Sequence, residues 1–335
     1  MKAAVIGVGA MGGHHARVYN ELEGVELIAV ADPDAKKAET VGRRFKVRTY
    51  ADYREMLDQE RPDLVSAAVP TRLHHSVAME AIRRGIHVLV EKPIASTVVE
   101  AQEMIRQAQE AGVRLAVGHI ERFNPAVIEL KKRLDQGELG QVFMVQARRM
   151  GPFPERIQDM GVVIDLASHD LDVMLYLLDS EVDRVYAETM RQVHTELEDL
   201  LSGLLRFRNG VIGVLDINRL TPTKIRELTV TGDKGMFLVN YLTQDLFFFE
   251  NTYAAAGWDN LGILRGVGEG NMVKLAIARK EPLRAELEAF VHSVQSGQEP
   301  AVRGEDGLRV LRLALQFIES GKEHRILAGE AGSTS

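Results

Sequence analysis

Residues 1–32 constrain this chain more than any other stretch. An apolar run of strand length, Ala3-Ala4-Val5-Ile6, leads straight into Gly7-Val8-Gly9-Ala10-Met11-Gly12. Helix-compatible sequence follows to Leu22, and a second apolar run, Leu27 to Ala31, stops at Asp32. That order is a βαβ unit. Gly7 permits a tight turn off the strand, Gly9 lets a backbone approach a pyrophosphate, and Gly12 lets the helix pack close to the sheet. The start of the helix offers unpaired N–H groups and a positive dipole end to the anion. Asp32 can accept from both ribose hydroxyls of an adenosine while its charge repels a 2′-phosphate, so NAD is favoured over NADP. A glycine-rich turn of some other α/β protein is the competing reading. The complete context of strand, helix and terminal acid weighs against it.

The alternation continues. Asp34 and Asp52 stand where helix N-caps belong, ahead of Ala38-Val41-Phe45 and of Met56-Leu57. Leu64 to Val69 is an unbroken apolar run, as in a parallel strand covered on both faces, and ends at Pro70-Thr71. A helix from about Leu73 to Arg84, a strand from His87 to Val90 ending at Glu91-Lys92-Pro93, a helix ending at Gly112 and a strand from Leu115 to Val117 complete a doubly wound domain over residues 1–118.

Beyond Gly118 the rhythm changes. Asn124-Pro125 reads as an N-cap with proline in the first turn, Val142 to Arg149 as a strand, and Gly161 to Leu178 as one long helix. Residues 182–249 are mostly strand, with Asn209-Gly210 as a hairpin turn between Leu204–Phe207 and Val211–Leu215. Residues 252–280 read as irregular, Pro282 to Val294 and Leu308 to Ile318 as amphipathic helices, and 329–335 as a disordered tail. The expected fold class is α/β: an N-terminal Rossmann domain, then an α+β domain over 119–328 built on an antiparallel or mixed sheet.

Several function classes fall away. Without cysteine there are no disulfides, thiolate nucleophiles or Cys-ligated zinc, and the composition suits a reducing cytoplasm. A net charge of -7 argues against a nucleic-acid partner. No apolar run reaches the length of a membrane span, and a signal peptide has no room ahead of Gly7. His14-His15 and His74-His75 are adjacent pairs whose rings diverge on a helix, so no metal site is expected.

Two stretches carry chemistry. In Gly161 to Met174, Asp165, His169 and Asp172 lie at i, i+4 and i+7 of an otherwise apolar helix. Once such a helix is buried, its ionisable stripe must be paired or face a polar cavity. Imidazole titrates near neutral pH and suits removal of a hydroxyl proton, and Asp165 could orient the ring. A solvated surface face is the plainer alternative. The second stretch is Glu91-Lys92-Pro93, at a strand's carboxyl end, where Lys92 is either a surface lysine or a donor to a reacting oxygen.

Taken together, Gly7 to Gly12, Pro70-Thr71 with His74, Glu91-Lys92-Pro93, and Asp165 with His169 resemble the glucose-fructose oxidoreductase, inositol dehydrogenase and rhizopine catabolism (Gfo/Idh/MocA) family, over essentially the whole chain. The resemblance implies NAD(P)-dependent oxidation or reduction of a sugar, cyclitol or related carbonyl compound. It implies cofactor contacts from Gly7, Gly9, Ala10, Met11, Gly12, Asp32, Pro70, Thr71, His74, Glu91 and Lys92, and a catalytic set of Lys92, Asp165 and His169. It also implies a large open C-terminal sheet that serves as an oligomer interface, hence a homodimer or homotetramer. The apolar strands Leu204 to Leu215 and Leu246 to Phe249 want cover on both faces, which agrees. Val162 and Ala167 stand where the family often has glycine, which bears on pocket shape before chemistry.

A narrower resemblance, in Gly118-His119-Ile120-Glu121-Arg122-Phe123-Asn124-Pro125 and in Gly151 to Arg156, is to the UDP-N-acetylglucosamine 3-dehydrogenase branch. It implies substrate contacts from Lys92, His119, Arg122, Arg149, Asp165 and His169. Arg122 with Arg148 and Arg149 could hold a diphosphate, or Arg122 could be a salt bridge and the arginine pair a strand edge. The expected reaction is hydride transfer from C3 of a nucleotide-linked amino sugar to NAD, with His169 as base and Lys92 stabilising the alkoxide. A free-sugar or myo-inositol dehydrogenase is the alternative within the class, and a non-catalytic NAD-binding sensor the alternative outside it.

Overall fold

The structure, a computed structural model, describes residues 1–153, 160–193, 196–253 and 267–329. The chain divides into two compact units, one comprising 1–123 and 281–312, the other 124–280 and everything from 313 onward.

The first unit is built on six parallel strands: β1 (Lys2–Ile6), β2 (Glu26–Ala31), β3 (Arg48–Tyr50), β4 (Leu64–Ala67), β5 (His87–Glu91) and β6 (Leu115–Gly118), in the order β3-β2-β1-β4-β5-β6. Helices α1 (Ala10–Glu21), α2 (Ala35–Phe45), α3 (Tyr53–Glu60), α4 (His74–Arg83) and α5 (Val98–Ala111) make the crossovers. Local chemistry sets their starts: Asp34 accepts from the Lys36 and Lys37 amides, Asp52 from that of Arg54, and Thr97 and Glu100 form a reciprocal capping box. β4 is buried along its whole length, as a strand covered on both faces must be. The strand order reverses between β1 and β4, so a crevice opens at their carboxyl ends.

This unit is not the continuous segment 1–118 that the sequence suggests. Helix α8 (Pro282–Ser296) joins it, and Leu283, Leu287, Phe290 and Val291 lie in one apolar cluster with Ala3, Val5, Tyr19, Leu89 and Ala116. An amphipathic period announces that a helix has a core face but does not name the core it serves. The division between the units then falls within α9 (Gly304–Glu323), after Arg312.

The second unit carries a nine-stranded sheet in the order β14-β13-β12-β11-β7-β10-β9-β8-β15. Its strands are β7 (Val142–Met150), β8 (Val182–Met190), β9 (Leu200–Phe207), β10 (Ile212–Asn218), β11 (Ile225–Gly232), β12 (Gly235–Asn240), β13 (Asp245–Tyr253), β14 (Val267–Lys274) and β15 (Leu327–Ala328). Only β7 and β10 pair in parallel; the other neighbours are antiparallel. Helices α6 (Pro125–Asp135), capped by Asn124, and α7 (Ser168–Leu178) belong to it. Alternation along β9 buries Leu201, Gly203, Leu205 and Phe207. The register aligns Tyr186, Leu204, Val214, Gln146, Thr229, Leu238 and Phe247 in one row across the sheet, and none of these is buried.

The hairpin at Asn209-Gly210 forms as its sequence suggests, with Gly210 at φ +92° and Asn209 Oδ1 accepting from the Val211 amide at 3.1 Å. Three strands have no counterpart in the sequence reading, among them the two-residue β15 near the C-terminus. β3 is a three-residue edge strand without an apolar run, and β14 occupies part of the stretch read as irregular. Residues 254–266 of that stretch, and 330–335 of the tail read as disordered, lie outside the described residues. Gly329 is tied in through its amide to the Asp183 carbonyl at 2.6 Å. Among the described residues no helix is long and apolar enough to cross a membrane.

Because Phe290 is only 2% exposed in the first unit's core, Phe290→Ala is expected to cost about 3 to 5 kcal/mol. Urea unfolding followed by fluorescence and far-UV dichroism checks this, and an unchanged midpoint contradicts the placement of α8.

Candidate active site

Parallel pairing brings the ends of β1, β4, β5 and β6 to one edge of the first unit, and with them Gly7, Val69-Pro70-Thr71, Lys92 and His119. Gly7 sits at φ +82°, and a Cβ there would lie 2.5 Å from the Ala68 carbonyl oxygen. A Cβ on Gly12 would lie 1.8 Å from the Gly7 oxygen, so both positions demand glycine. A Cβ on Gly9 would meet nothing within 4 Å, leaving the outer side of the loop open to a ligand. Ala10 and Met11 are exposed at the start of α1, which has no side-chain cap and no acid in its first turn, so its orphan amides face an anion without competition. Asp32 Oδ2 accepts from the Val8 amide and Oδ1 from the Asp34 amide, both at 2.9 Å. That fixes the carboxylate against the glycine loop while each oxygen keeps a lone pair for a ribose hydroxyl. These residues fit NAD.

Behind this loop lies a buried set of polar groups. The His74 ring bridges two loops, Nδ1 at 2.7 Å from the Pro93 carbonyl and Nε2 at 2.9 Å from that of Val69. Burial holds His74 below the ordinary imidazole range, although both carbonyl contacts oppose the shift. Pro70 is exposed and Thr71 half-buried beside it. Glu91 Oε1 lies 2.9 Å from His15 Nε2, and burial alone would raise its carboxyl. The His15 hydrogen bond and the Lys92 charge oppose burial and hold Glu91 below the usual carboxylate range.

In the second unit the helix read as continuous from Gly161 opens instead with a π-helical turn, Val163–Ala167, before α7. Glu198 holds its start, with its backbone oxygen on the Val162 amide at 3.0 Å and Oε1 on that of Val163 at 3.2 Å. Val162 and Ala167, where the family often has glycine, are both fully buried. Asp165 accepts from Arg219 Nη2, and Arg219 Nη1 reaches the Met160 carbonyl at 3.0 Å. His169 is half-buried, whereas Asp172 is wholly buried. A π turn in a helix carrying ionisable groups is a common mark of a functional site.

Three expectations about substrate contacts change. Arg149 does not present its guanidinium to a diphosphate: it is 4% exposed, clamped by Asp170 at 2.6 and 3.0 Å, and lies 5.1 Å from the Tyr241 ring centre. Alternation along β7 turns Arg149 inward, where a charge must be paired. Arg122 pairs with Asp306 at 3.6 Å, the salt-bridge alternative, and His119 is buried at 1% exposure. Arg148 faces the other way, half-exposed, with Glu227 at 3.6 Å. Residues 154–156 of the narrower motif lie outside the described residues. The sequence reading missed His15 and Arg219 as members of the two sites. His15 gave one signal, its place one turn after Gly12; Arg219 gave none.

Family models agree with both halves. The model described as "Oxidoreductase family, NAD-binding Rossmann fold" matches residues 1–119, and that of the GFO/IDH/MocA C-terminal domain matches 127–238. The UDP-N-acetylglucosamine 3-dehydrogenase of Acidithiobacillus ferrooxidans is 30% identical over 94% of this chain and 96% of its own length. Its solved structure superposes with a TM-score of 0.84, covering 96% of this chain and 98% of that one. The myo-inositol 2-dehydrogenase of Thermotoga maritima is 25% identical over 97% of each chain.

Two outcomes follow from the buried charges. Arg149→Met strands Asp170 and should cost about 3 to 5 kcal/mol in urea unfolding. A histidine held low when folded gives stability that is complete above the unfolded value, ~6.5, and is lost as pH falls below it. The drop in urea midpoint between about pH 7.5 and about pH 5.5 should therefore shrink in His74→Gln, and an equal drop in both proteins contradicts the assignment.

Proposed function

The chain belongs to the Gfo/Idh/MocA family of NAD-dependent oxidoreductases, and on that premise we propose that it oxidises a ring carbinol of a nucleotide-linked amino sugar, at C3 of UDP-N-acetylglucosamine. The observation that carries the substrate class is the full-length relationship to the Acidithiobacillus enzyme, at 30% identity. NAD, when bound, accepts the hydride from the substrate carbon. His169 takes the proton of the reacting hydroxyl. Lys92, at the end of β5, donates to the same oxygen and stabilises its developing negative charge. Asp165, fixed by Arg219, orients the imidazole. Arg149, buried and paired with Asp170, serves the fold in this reading and not the diphosphate. The relationship to myo-inositol 2-dehydrogenase, at 25% identity over 97% of the chain, supports a cyclitol as the second reading.

The open row from Tyr186 to Phe247 supports assembly of a homodimer or homotetramer through the nine-stranded sheet. The cysteine-free composition suits a reducing cytoplasm.

The purified protein should form NADH with UDP-N-acetylglucosamine in the presence of a carbonyl trap, and not with N-acetylglucosamine, glucose or myo-inositol. Activity with myo-inositol alone moves the assignment to the second reading. Lys92→Ala and His169→Ala should each lower kcat by about two to four orders of magnitude while NADH fluorescence titrations stay within a few-fold of wild type. Wild-type turnover in either removes that residue from the mechanism. Light scattering should give two or four times 37.2 kDa, and a monomeric mass excludes the sheet as an interface.

A further inference from the structure

The mechanism leaves one buried cluster unused. His15 and Ser66 are 0% exposed, and Tyr19 is equally buried beside them. Tyr19 Oη lies 2.9 Å from Ser66 Oγ, Ser66 Oγ 3.0 Å from His15 Nδ1, and His15 Nε2 2.9 Å from Glu91 Oε1. Glu91 Oε2 in turn accepts from the Lys92 amide at 3.3 Å. The chain of bonds has one self-consistent direction when Glu91 is a carboxylate. His15 donates through Nε2–H, its Nδ1 accepts from the Ser66 hydroxyl, and Ser66 accepts from the Tyr19 hydroxyl, so no donor is wasted. Burial pushes the Tyr19 phenol up, which keeps it a donor. Gly118 on β6 leaves room for the carboxylate, since a Cβ there would sit 3.2 Å from Glu91 Cδ.

Both ends of this chain have a place in the reaction. His15 stands on α1, whose first turn receives the pyrophosphate, and Glu91 immediately precedes Lys92. We propose that His15 and Glu91 are positioning residues that tie the nucleotide-binding helix to Lys92, so that seating NAD on α1 fixes the backbone from which Lys92 reaches the reacting oxygen. A purely structural pair would stabilise the fold without transmitting occupancy of the cofactor site to residue 92. This inference rests on the role of Lys92 proposed above.

Hydrogen exchange by mass spectrometry at the amides of 90–92, with and without NAD, tests the link without any substrate. NAD should slow exchange there in wild type and in His15→Gln, whose amide can replace the Nε2–H donor. It should slow exchange little in His15→Leu or in the isosteric Glu91→Gln, which guards against a His15→Leu protein that does not fold. With UDP-N-acetylglucosamine, kcat of His15→Leu should fall about 10- to 100-fold with the NAD dissociation constant within about threefold, and His15→Gln should recover most of it. Equal slowing in wild type and Glu91→Gln, or no slowing in wild type, overturns the proposal. Full turnover by Lys92→Ala instead overturns the role of Lys92 and leaves the exchange result standing on its own.

Discussion

Parallel hydrogen bonding in the first unit is the constraint from which its chemistry follows. When β1, β4, β5 and β6 run the same way, their carboxyl ends must share an edge, and residues far apart in sequence become neighbours there. The glycine loop, the Val69–Thr71 turn and Lys92 need no further organisation to meet. What the edge does require is that polar groups buried just behind it be paired. Glu91, His15, Ser66 and Tyr19 satisfy one another, and the His74 ring sits between two loop carbonyls, so the rim is held by bonds whose loss would leave uncompensated groups in the interior.

The second unit reaches the same end through ion pairs. The helix from Val163 onward carries three aspartates and a histidine within an apolar sequence, and Arg219, just past β10, and Arg149, on β7, answer Asp165 and Asp170. Such pairs gain little net stability over apolar packing, but removing one partner is costly. Their value is geometric: a bidentate arginine allows few orientations of its carboxylate, and the rotation of the helix that carries Asp170 is restricted with it.

Much of this was legible in the residues. The nucleotide loop declared itself because each glycine answers a steric demand local in sequence, and the Asp34, Asp52 and Asn124 caps did so because a cap and its amides are two or three residues apart. The places of Lys92 just after a strand and of Asp165 and His169 along one helical stretch were legible from position alone. The partnership of Arg149 with Asp170 was not legible, nor was that of Arg219 with Asp165, because each joins residues on or just past a strand to a helix across a register that the sequence does not write. The same holds for α8, whose apolar stripe fits either core. The π turn was hidden for another reason: one extra residue in a helix leaves its periodicity almost unchanged over so short a stretch.

The discontinuity of the first unit bears on how the protein is made. On a ribosome the six parallel strands emerge first, while the helix that completes their core comes roughly 160 residues later, about ten to thirty seconds at ordinary elongation rates. For that interval Leu89, Ala116 and Tyr19 lack the cover of Leu287 and Phe290. Until synthesis is nearly finished, the nascent nucleotide-binding half exposes apolar surface of the kind that chaperones cover. Damage to the late helices would be felt first as lost yield of folded protein, at positions remote in sequence from the strands they protect.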